Sequence, residues 1–465
     1  MTLTDEESAA LKRLQKRLED DLAGRPGEDG RKRKAFVSLD AYYDGEQRLE
    51  QLGYAIPDDL REFVTIVAWP GTYVDAICDR QTVVGFRRSG EPEADTGLWR
   101  IWQANKLDAE STMARIDRGV FGRGYYCLGS NDDDPDTPLI TVESPMQMTH
   151  EWSNRKRTST AAARFYTDDS GPKKTRHATL YMPNVTKWLI RQNGKWVEED
   201  VDEHKLGRVP VVPLVGRQRT HDRYGKPAFL RIIGLTDSGA RVLTNGDVAS
   251  EVMALPQRYA AGLSPDDFKD PETGVPLTTW EAYFGAVWTS TNKDAKFGQF
   301  SAADLGNFSK RLGDLAQSAA GITGLPMRYF GQLSDNPPSA DGIRADESRL
   351  IKTCEKGNEA EAEALEEVMA IAERIRSGDW DPTLRALETV HVDPATPTIA
   401  QRADATVKLR AERIISLRQA RRDMGYTPVQ IANMEQDDRE EAENGDPLLG
   451  RIADGLINGG TGLGE

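Results

Sequence analysis

A short run of carboxylates is the first candidate for chemistry in this sequence. Four aspartates lie close together, at Asp132, Asp133, Asp134 and Asp136. Hard cations such as Ca²⁺ and Mg²⁺ bind clustered carboxylate oxygens, so the run has the composition of a cation site. Prolines at 135 and 138 and an asparagine at 131 are typical of a surface turn. We therefore favour a turn over a cation site, and we expect no metal.

A glycine cluster at residues 119–125 is the second candidate. Its glycines at 119, 122 and 124 are not preceded by a strand and followed by a helix, as a dinucleotide site requires. We expect a turn that enters a strand. Neither G-x-x-x-x-G-K-[ST] nor H-E-x-x-H occurs, and the five histidines have no metal-ligand spacing. The sequence predicts a protein that is not an enzyme and holds no cofactor.

Composition limits the function classes further. The 465 residues carry a formal charge of −15, which argues against a surface that grips nucleic acid throughout. The basic run at 31–34 is interpreted as solvated charge rather than a phosphate patch. Cys78, Cys127 and Cys354 form no C-x-x-C pair, and no apolar run or leader of membrane-targeting type is visible. We expect a protein made in a reducing cytoplasm, with no membrane partner.

Residues 301–377 are predicted to form two helices separated by a loop rich in proline and glycine. The first helix has two rows on its surface. One row is apolar and the other consists of small residues that allow a neighbouring backbone to approach. The apolar row is Leu305, Phe308, Leu312, Leu315 and Ala319; the small row is Gly306, Ser309, Gly313, Ala316 and Ala320. We predict that Gly306, Gly313 and Ala320 pack against another subunit.

The second helix is predicted to begin at the N-cap Ser339 and to end at Gly378. It would span roughly 55 Å, a length typical of a helix that bridges layers of an assembly. Its apolar positions are Ile343, Leu350, Ile351, Cys354, Leu365, Val368, Ala372 and Ile375. Six glutamates, at 355, 359, 361, 363, 366 and 367, are expected on a solvated or subunit-facing surface, with a channel-facing position as the alternative.

Short segments rich in β-branched and aromatic residues follow residue 122 and predict an antiparallel β region set on helices. They fall near 124–128, 138–143, 146–152, 161–166, 178–182, 186–191 and 196–201. Residues 209–215 are interrupted by prolines and predict an edge strand or connector. Further strands are expected at 82–86 and 388–392. The fold class is α+β.

The remaining helices follow from caps and apolar spacing. A capping box of Thr4 and Glu7 opens the first helix. Helices are also expected at 39–52, on both sides of a break at Trp69-Pro70, and at 228–254, 398–417 and 427–442. Residues 262–300 contain several turn signals and, at 280–288, a group of four aromatic residues that form either a small core or a docking site. These are Trp280, Tyr283, Phe284 and Trp288.

Four short motifs, taken with their order and spacing in the chain, resemble the portal proteins of tailed bacteriophages, in the siphophage-type branch. They are Thr-Gly-Leu-Pro at 323–326, Tyr-Phe-Gly at 329–331, Asn-Pro-Pro-Ser-Ala-Asp-Gly-Ile-Arg at 336–344 and Glu-Val-Met-Ala-Leu-Pro-Gln-Arg at 251–258. The resemblance implies a portal fold with an α+β wing, a helical stem, a small clip insert, a long bridging helix and a helical crown. It implies a wing at 1–225, stem helices at 226–261 and 301–323, a clip at 262–300, a tunnel loop at 324–338, a long wing helix at 339–378, and a crown with a flexible tail at 379–465.

The resemblance also implies a function. A homo-oligomeric ring, twelve-fold in the family, would form the channel for double-stranded DNA at one capsid vertex of the virion. The implied partners are the terminase large subunit, the head-tail adaptor, and the major capsid and scaffolding proteins. The clip aromatics are the predicted docking residues. The tunnel loop would contact DNA through Met327, Arg328, Tyr329, Phe330 and Gln332, although Arg328 suits a helix C-cap equally well.

Two alternatives come from other classes. One is a metal-dependent nuclease or other DNA-processing enzyme, which requires converging carboxylates. The other is a virion scaffold of helical hairpins that is not a portal. A mass measurement distinguishes them, because the portal interpretation alone requires a large closed ring.

Overall fold

The structure is a computed structural model. It describes residues 3–26, 34–47, 65–91, 94–170, 174–253, 258–262, 269, 274–275, 294–299, 304–331, 339–395, 399–426 and 428–444. The chain falls into two compact units, Met1–Pro394 and Ala395–Glu465. The finer boundaries between wing, stem, clip and crown stay predictions.

The first helix is closed at both ends by the signals read from the sequence. Helix α1 spans Asp5–Ala23; Thr4 and Glu7 form the predicted capping box, and Gly24 ends the helix in the left-handed conformation at φ 64°. Its leucines at 11, 14 and 18 are buried. This face packs on a sheet whose alanines and leucines at 161, 163, 178, 180 and 189 complete the cluster.

The next helices are α2 (Phe36–Asp44), α3 (Trp69–Cys78), α4 (Thr96–Ala104) and α5 (Leu107–Phe121). Helix α2 starts before the predicted residue 39 and ends at Gly45, whose φ is 75°. The predicted break at Trp69-Pro70 is wrong, because Pro70 lies in the first turn of α3. Proline needs no hydrogen-bond acceptor there, so it opens a helix instead of interrupting one.

The predicted β region is confirmed. Strand β1 is Val83–Arg87, and it is followed by β2 (Arg123–Gly129), β3 (Leu139–Glu143), β4 (Met148–Ser153), β5 (Thr158–Asp168), β6 (Thr175–Tyr181), β7 (Thr186–Gln192), β8 (Lys195–Asp202) and β9 (Val211–Val215). Strands β4 to β8 form an antiparallel meander in chain order, and β3, β2 and β9 form a second sheet. Strand β9 is an edge strand, as its prolines predicted.

Two glycines bring separate segments into close contact below the second sheet. Gly122 ends α5 at φ 88°, and Gly225 lies in the loop after β9 at φ 76°. The Gly216 amide donates to the Gly122 carbonyl at 2.8 Å, and the Lys226 amide donates to the Gly216 carbonyl at 3.1 Å. The glycine cluster at 119–125 therefore is the turn into a strand that the sequence predicted.

Two further helices pack together beside this body. Helix α6 spans Ile233–Met253, the strands β10 (Arg258–Ala261) and β11 (Lys296–Gln299) pair with each other, and α7 spans Gly306–Thr323. A side chain at Gly246 of α6 would meet the Phe308 ring of α7 at 3.4 Å. Glycine at position 246 thus allows the two helices to approach closely.

The long helix α8 spans Ala340–Ser377, with Ser339 as the N-cap and Gly378 as the C-cap. The predicted bounds are confirmed. Strand β12 (Glu388–His391) pairs antiparallel with β1, with Phe86 opposite Thr389. The sequence predicted both strands but not their pairing.

The second unit contains α9 (Ile399–Ala411), α10 (Leu417–Asp423) and α11 (Pro428–Asn444). The predicted single helix at 398–417 is wrong, because the chain leaves α9 after 411 and Ser416 caps a new helix. Arg418 and Arg421 of α10 bind Glu435 and Asp438 of α11 at 3.1 and 2.8 Å. Within the described residues, no helix has the length and apolarity needed to cross a membrane.

Candidate tunnel loop and buried ion-pair network

The loop after α7 begins as a tightly packed turn. Gly324 ends α7 at φ 79°, and residues Met327–Phe330 form a single 3₁₀ turn closed by Gly331 at φ 76°. The Arg349 guanidinium of α8 donates to the carbonyls of residues 321 and 322 at 2.7 and 3.3 Å. Arg349 therefore caps α7, and the alternative that Arg328 does so is wrong.

The apolar members of this turn point toward the core. Phe330 is 6% exposed. Its ring meets Trp69 edge to face at a centroid distance of 5.6 Å. Met327 and Tyr329 pack half-buried against the same cluster. The turn is anchored on α3 and does not stand away from the helices. The prediction that Phe330 contacts DNA is therefore wrong, because its ring is buried in the core of its own chain. Gln332 lies outside the described residues.

Arg328 is held by two carboxylates of α8. Its guanidinium binds Glu347 and lies 3.6 Å from Asp346, while the side chain keeps 34% of its surface exposed. The guanidinium carbon also lies 5.6 Å from the centre of the Tyr329 ring. Arg328 is thus the polar residue of this turn that combines exposure with a fixed orientation.

Arg80, just after α3, joins three parts of the first unit. Its guanidinium donates to both Glu347 oxygens, at 3.2 and 3.1 Å, and to the Tyr329 hydroxyl at 3.2 Å. It also donates to the Pro394 carbonyl at 3.3 Å. Glu347 therefore accepts from two arginines, and these charge-assisted hydrogen bonds fix the loop against α3 and α8.

A second network lies further along α8, at Glu361. Its side chain is fully buried, accepts from the Arg115 Nε at 2.8 Å and lies 3.3 Å from the His391 Nε2. Arg115 also donates to the Ser111 hydroxyl at 2.7 Å. Burial alone would raise the pKa of Glu361. The hydrogen bond from His391 and the charges of Arg115 and Arg118 outweigh burial, so the pKa lies below its ordinary value.

One turn earlier on α8, the amide side chain of Asn358 belongs to a chain of hydrogen bonds that leads through Gln81 to Arg118. Its amide oxygen accepts from the Gln81 amide at 2.8 Å, and Gln81 accepts in turn from Arg118 at 2.7 Å. Arg118 also donates to the Gly357 carbonyl at 2.9 Å. Each buried polar group named here has a partner, as buried polar groups require.

The buried positions of Asn358 and Glu361 were not predicted from the sequence. The apolar row of α8 stops at Cys354 and resumes at Leu365, and Asn358 and Glu361 continue its spacing of three and four residues. The expectation of a solvated Glu361 is wrong, because this spacing places it on the buried face. Polar residues in register with an apolar row were the signal that could have revealed them.

The predicted subunit-packing row is divided by the structure. Ala316, in the same row, is fully buried in the core of its own chain. Gly306 is exposed, and Gly313 and Ala320 are half-buried. Gly306, Gly313 and Ala320 thus keep accessible surface that another subunit could contact, and their role in subunit packing stays a prediction. The clip aromatics at 280, 283, 284 and 288 lie outside the described residues.

The carboxylate run at 132–136 is an exposed turn with local hydrogen bonds. The Asp133 amide donates to the Asn131 side chain, and the Asp136 amide donates to the Asp134 side chain, each at 3.2 Å. Across the part of the chain that the structure describes, no group of three or more histidines, cysteines or carboxylates has the arrangement of a metal site.

The framework is a mixed helix and strand fold, built from the helix pair α6 and α7, the long helix α8 and the antiparallel sheets. Within it, the charged residues at the loop bind one another. Residues 28–444 match the family described as phage portal protein, SPP1 Gp6-like, and the chain belongs to this family.

Two curated relatives are similar over nearly the whole chain. The portal protein of Mycobacterium phage D29 is 40% identical over 425 residues, which is 89% of this chain and 87% of the relative. The portal protein of Mycobacterium phage L5 is 39% identical over 432 residues, which is 90% of this chain and 88% of the relative. A solved chain from the neck of an empty GTA particle computed with C6 symmetry aligns with 82% of this chain and 96% of its own length, at 13% identity and a TM-score of 0.46.

Proposed function

We propose that this portal protein assembles into a closed ring, twelve-fold as the family resemblance implies, at one vertex of the capsid. Double-stranded DNA passes through the ring during genome packaging and ejection. The family match over residues 28–444 is the observation that supports this proposal most strongly. In this proposal the long helix α8 is the bridging element, and the small residues of α7 that keep accessible surface form the contact between subunits.

The mechanism is electrostatic and steric. Each chain has a formal charge of −15, so a ring of twelve chains has a formal charge of −180. An acidic wall releases few counterions from a passing duplex, so DNA slides without being held. The terminase large subunit supplies the motor, and the insert at 262–300 docks it and the head-tail adaptor. The major capsid and scaffolding proteins surround the ring in the virion.

A bulky residue at Gly313 is expected to block ring assembly. Gly313 is half-buried in the isolated chain, so leucine there would overfill a close contact with another subunit. Gly313→Leu should leave folded monomers, as measured by circular dichroism, and should remove rings from electron micrographs and mass measurements.

The matched control is Ser318→Leu, a similar enlargement on the other side of the same helix, where Ser318 is exposed. We expect this variant to form rings. Normal rings from Gly313→Leu would contradict the contact, and loss of rings from Ser318→Leu alone would move it to the opposite face of α7.

We further propose that Arg328 contacts the DNA backbone. The residue is one-third exposed and held at a fixed position by Glu347, so a ring would present equivalent weak contacts that a sliding duplex exchanges in turn. Arg328→Ala should lower the DNase-resistant genomes per particle severalfold while rings still form, because Glu347 keeps Arg80 as its partner.

Arg328→Lys tests whether charge alone matters, and it should retain most of the packaged DNA. An unchanged genome count in Arg328→Ala would exclude a DNA contact by this residue. A loss of rings in the same variant would instead assign Arg328 to assembly.

A further inference from the structure

A cleft of about 710 Å³ lies beside α1, and its lining shares no residue with the tunnel loop. One wall is the basic side of α1, with Arg13, Lys16 and Arg17. The other walls are the end of β4, at Trp152, and the loop after β9, at Arg223 and Tyr224. The cleft is large enough to hold several side chains of a bound peptide.

The carboxylates of this cleft are already paired with basic residues, and the pair of Asp222 with Lys226 is the longest, at 3.9 Å. Glu151 accepts two hydrogen bonds from Arg13, at 2.7 and 3.1 Å. Asp20 is bound by Arg25 at 3.4 Å, and the buried Asp21 is bound by Arg123. The cleft therefore has little remaining capacity to bind a cation.

Three basic side chains of the cleft are in the opposite situation. Among the described residues, Lys16, Arg17 and Arg223 form no ion pair with a carboxylate. The Arg17 guanidinium carbon lies 4.4 Å from the centre of the Tyr224 ring. This stacking orients the guanidinium and leaves the N–H groups at its edge to donate to a ligand.

Unused hydrogen-bond donors border the cleft as well. The Trp152 Nε1 and Arg223 Nε atoms are buried, and neither has an acceptor among the described residues. Buried donors without acceptors are uncommon in folded proteins. The cleft therefore contains basic groups and N–H donors that its own carboxylates leave without an acceptor.

We propose that the cleft binds an acidic peptide segment of a partner protein, with carboxylates on Lys16, Arg17 and Arg223. A duplex is the less suitable anion, because its closely spaced phosphates would also meet Asp20 and Glu151, whose side chains are 25% and 19% exposed. A peptide can place its carboxylates beside the basic residues and away from Asp20 and Glu151. The cleft is thus a docking surface for a protein partner.

The test uses the full chain and a fluorescein-labelled octaglutamate peptide, with fluorescence anisotropy at low salt. We expect saturable binding that weakens with salt, and a rise in Kd of roughly tenfold in Arg17→Ala and in Arg223→Ala, the loss expected for one charge-assisted hydrogen bond. Lys16→Glu, at an exposed position of α1, should weaken binding by at least as much without disturbing the fold.

Arg191→Ala is the matched control. Arg191 also lies over an aromatic ring, at 5.5 Å from the centre of Trp196, but outside the cleft, and its replacement should leave Kd unchanged. The proposal is overturned if the peptide does not bind, or if the cleft variants bind it as well as the unchanged chain. It is also overturned if short duplex DNA binds more tightly than the peptide and is lost in the same variants.

Discussion

Replacing Glu361 by alanine is expected to destabilise the unassembled chain by about 3–5 kcal/mol, the usual cost of removing one partner from a buried ion pair. Glu361 is fully buried, and the Arg115 side chain that it binds is 4% exposed. Without the carboxylate, the buried guanidinium keeps, among the described residues, the hydroxyls of Ser111 and Thr112 as its acceptors. Urea unfolding followed by circular dichroism measures the loss.

Glu355→Ala is the control on the same helix. Glu355 binds Lys352 at 2.6 Å, but the two side chains are 41% and 65% exposed, so solvent screens the pair and we expect no measurable loss. Equal stability of Glu361→Ala and the unchanged chain would show that Arg115 finds another acceptor.

The loss of stability in Glu361→Ala is predicted to depend on pH. The pKa of Glu361 lies below 4.5 in the folded chain and returns to about that value on unfolding. The carboxylate therefore stabilises the fold fully above pH 4.5, and this stabilisation decreases as the pH falls through the folded pKa. The difference in unfolding free energy between the unchanged chain and Glu361→Ala should be largest near neutral pH and should narrow on acidification.

Gly225→Ala is expected to cost at least about 3 kcal/mol, from left-handed strain and from overpacking together. Gly225 has a φ of 76°, and a Cβ there would lie against the Gly122 carbonyl oxygen and 2.6 Å from that of Gly216. Both obstacles are backbone atoms held by hydrogen bonds, so neither can rotate away. Thermal unfolding should show a large drop in Tm or a chain that does not fold.

Gly90→Ala separates the two contributions. Gly90 has a similar φ of 83°, but nothing described lies within 4 Å of a Cβ at this position. We expect it to lose only the left-handed strain, about 1–2 kcal/mol. A similar loss for Gly90→Ala and Gly225→Ala would mean that the loop after β9 moves away from α5 at little cost.

Local signals predicted much of the fold. Ser339 and Gly378 bound the long helix correctly, since a capping hydroxyl and a left-handed glycine act within one turn of the chain. Short segments rich in β-branched and aromatic residues likewise located β2 to β8, because strand propensity is visible over a few residues. Features that depend on neighbours in sequence could be predicted.

The features that were missed depend on contacts across the fold. Phe330 lies in a loop motif, and its burial depends on Trp69, which is far away in sequence. Glu361 resembled the surface glutamates around it until Arg115 and His391 were placed beside it. The candidate site was therefore predictable as a segment of the chain, but not in the orientation of its side chains.

The pairing of β1 with β12 has a consequence for the synthesis of the protein. About 300 residues separate Val83 from His391, its partner in the ladder. At about 5–20 residues per second, roughly 15–60 s pass between the translation of the two strands. During this interval Phe86 and its neighbours also lack Leu365 and Val368 of α8, with which they share a core. The nascent chain thus exposes half of a hydrophobic core on the ribosome, where chaperones can bind it and where a truncated product would aggregate.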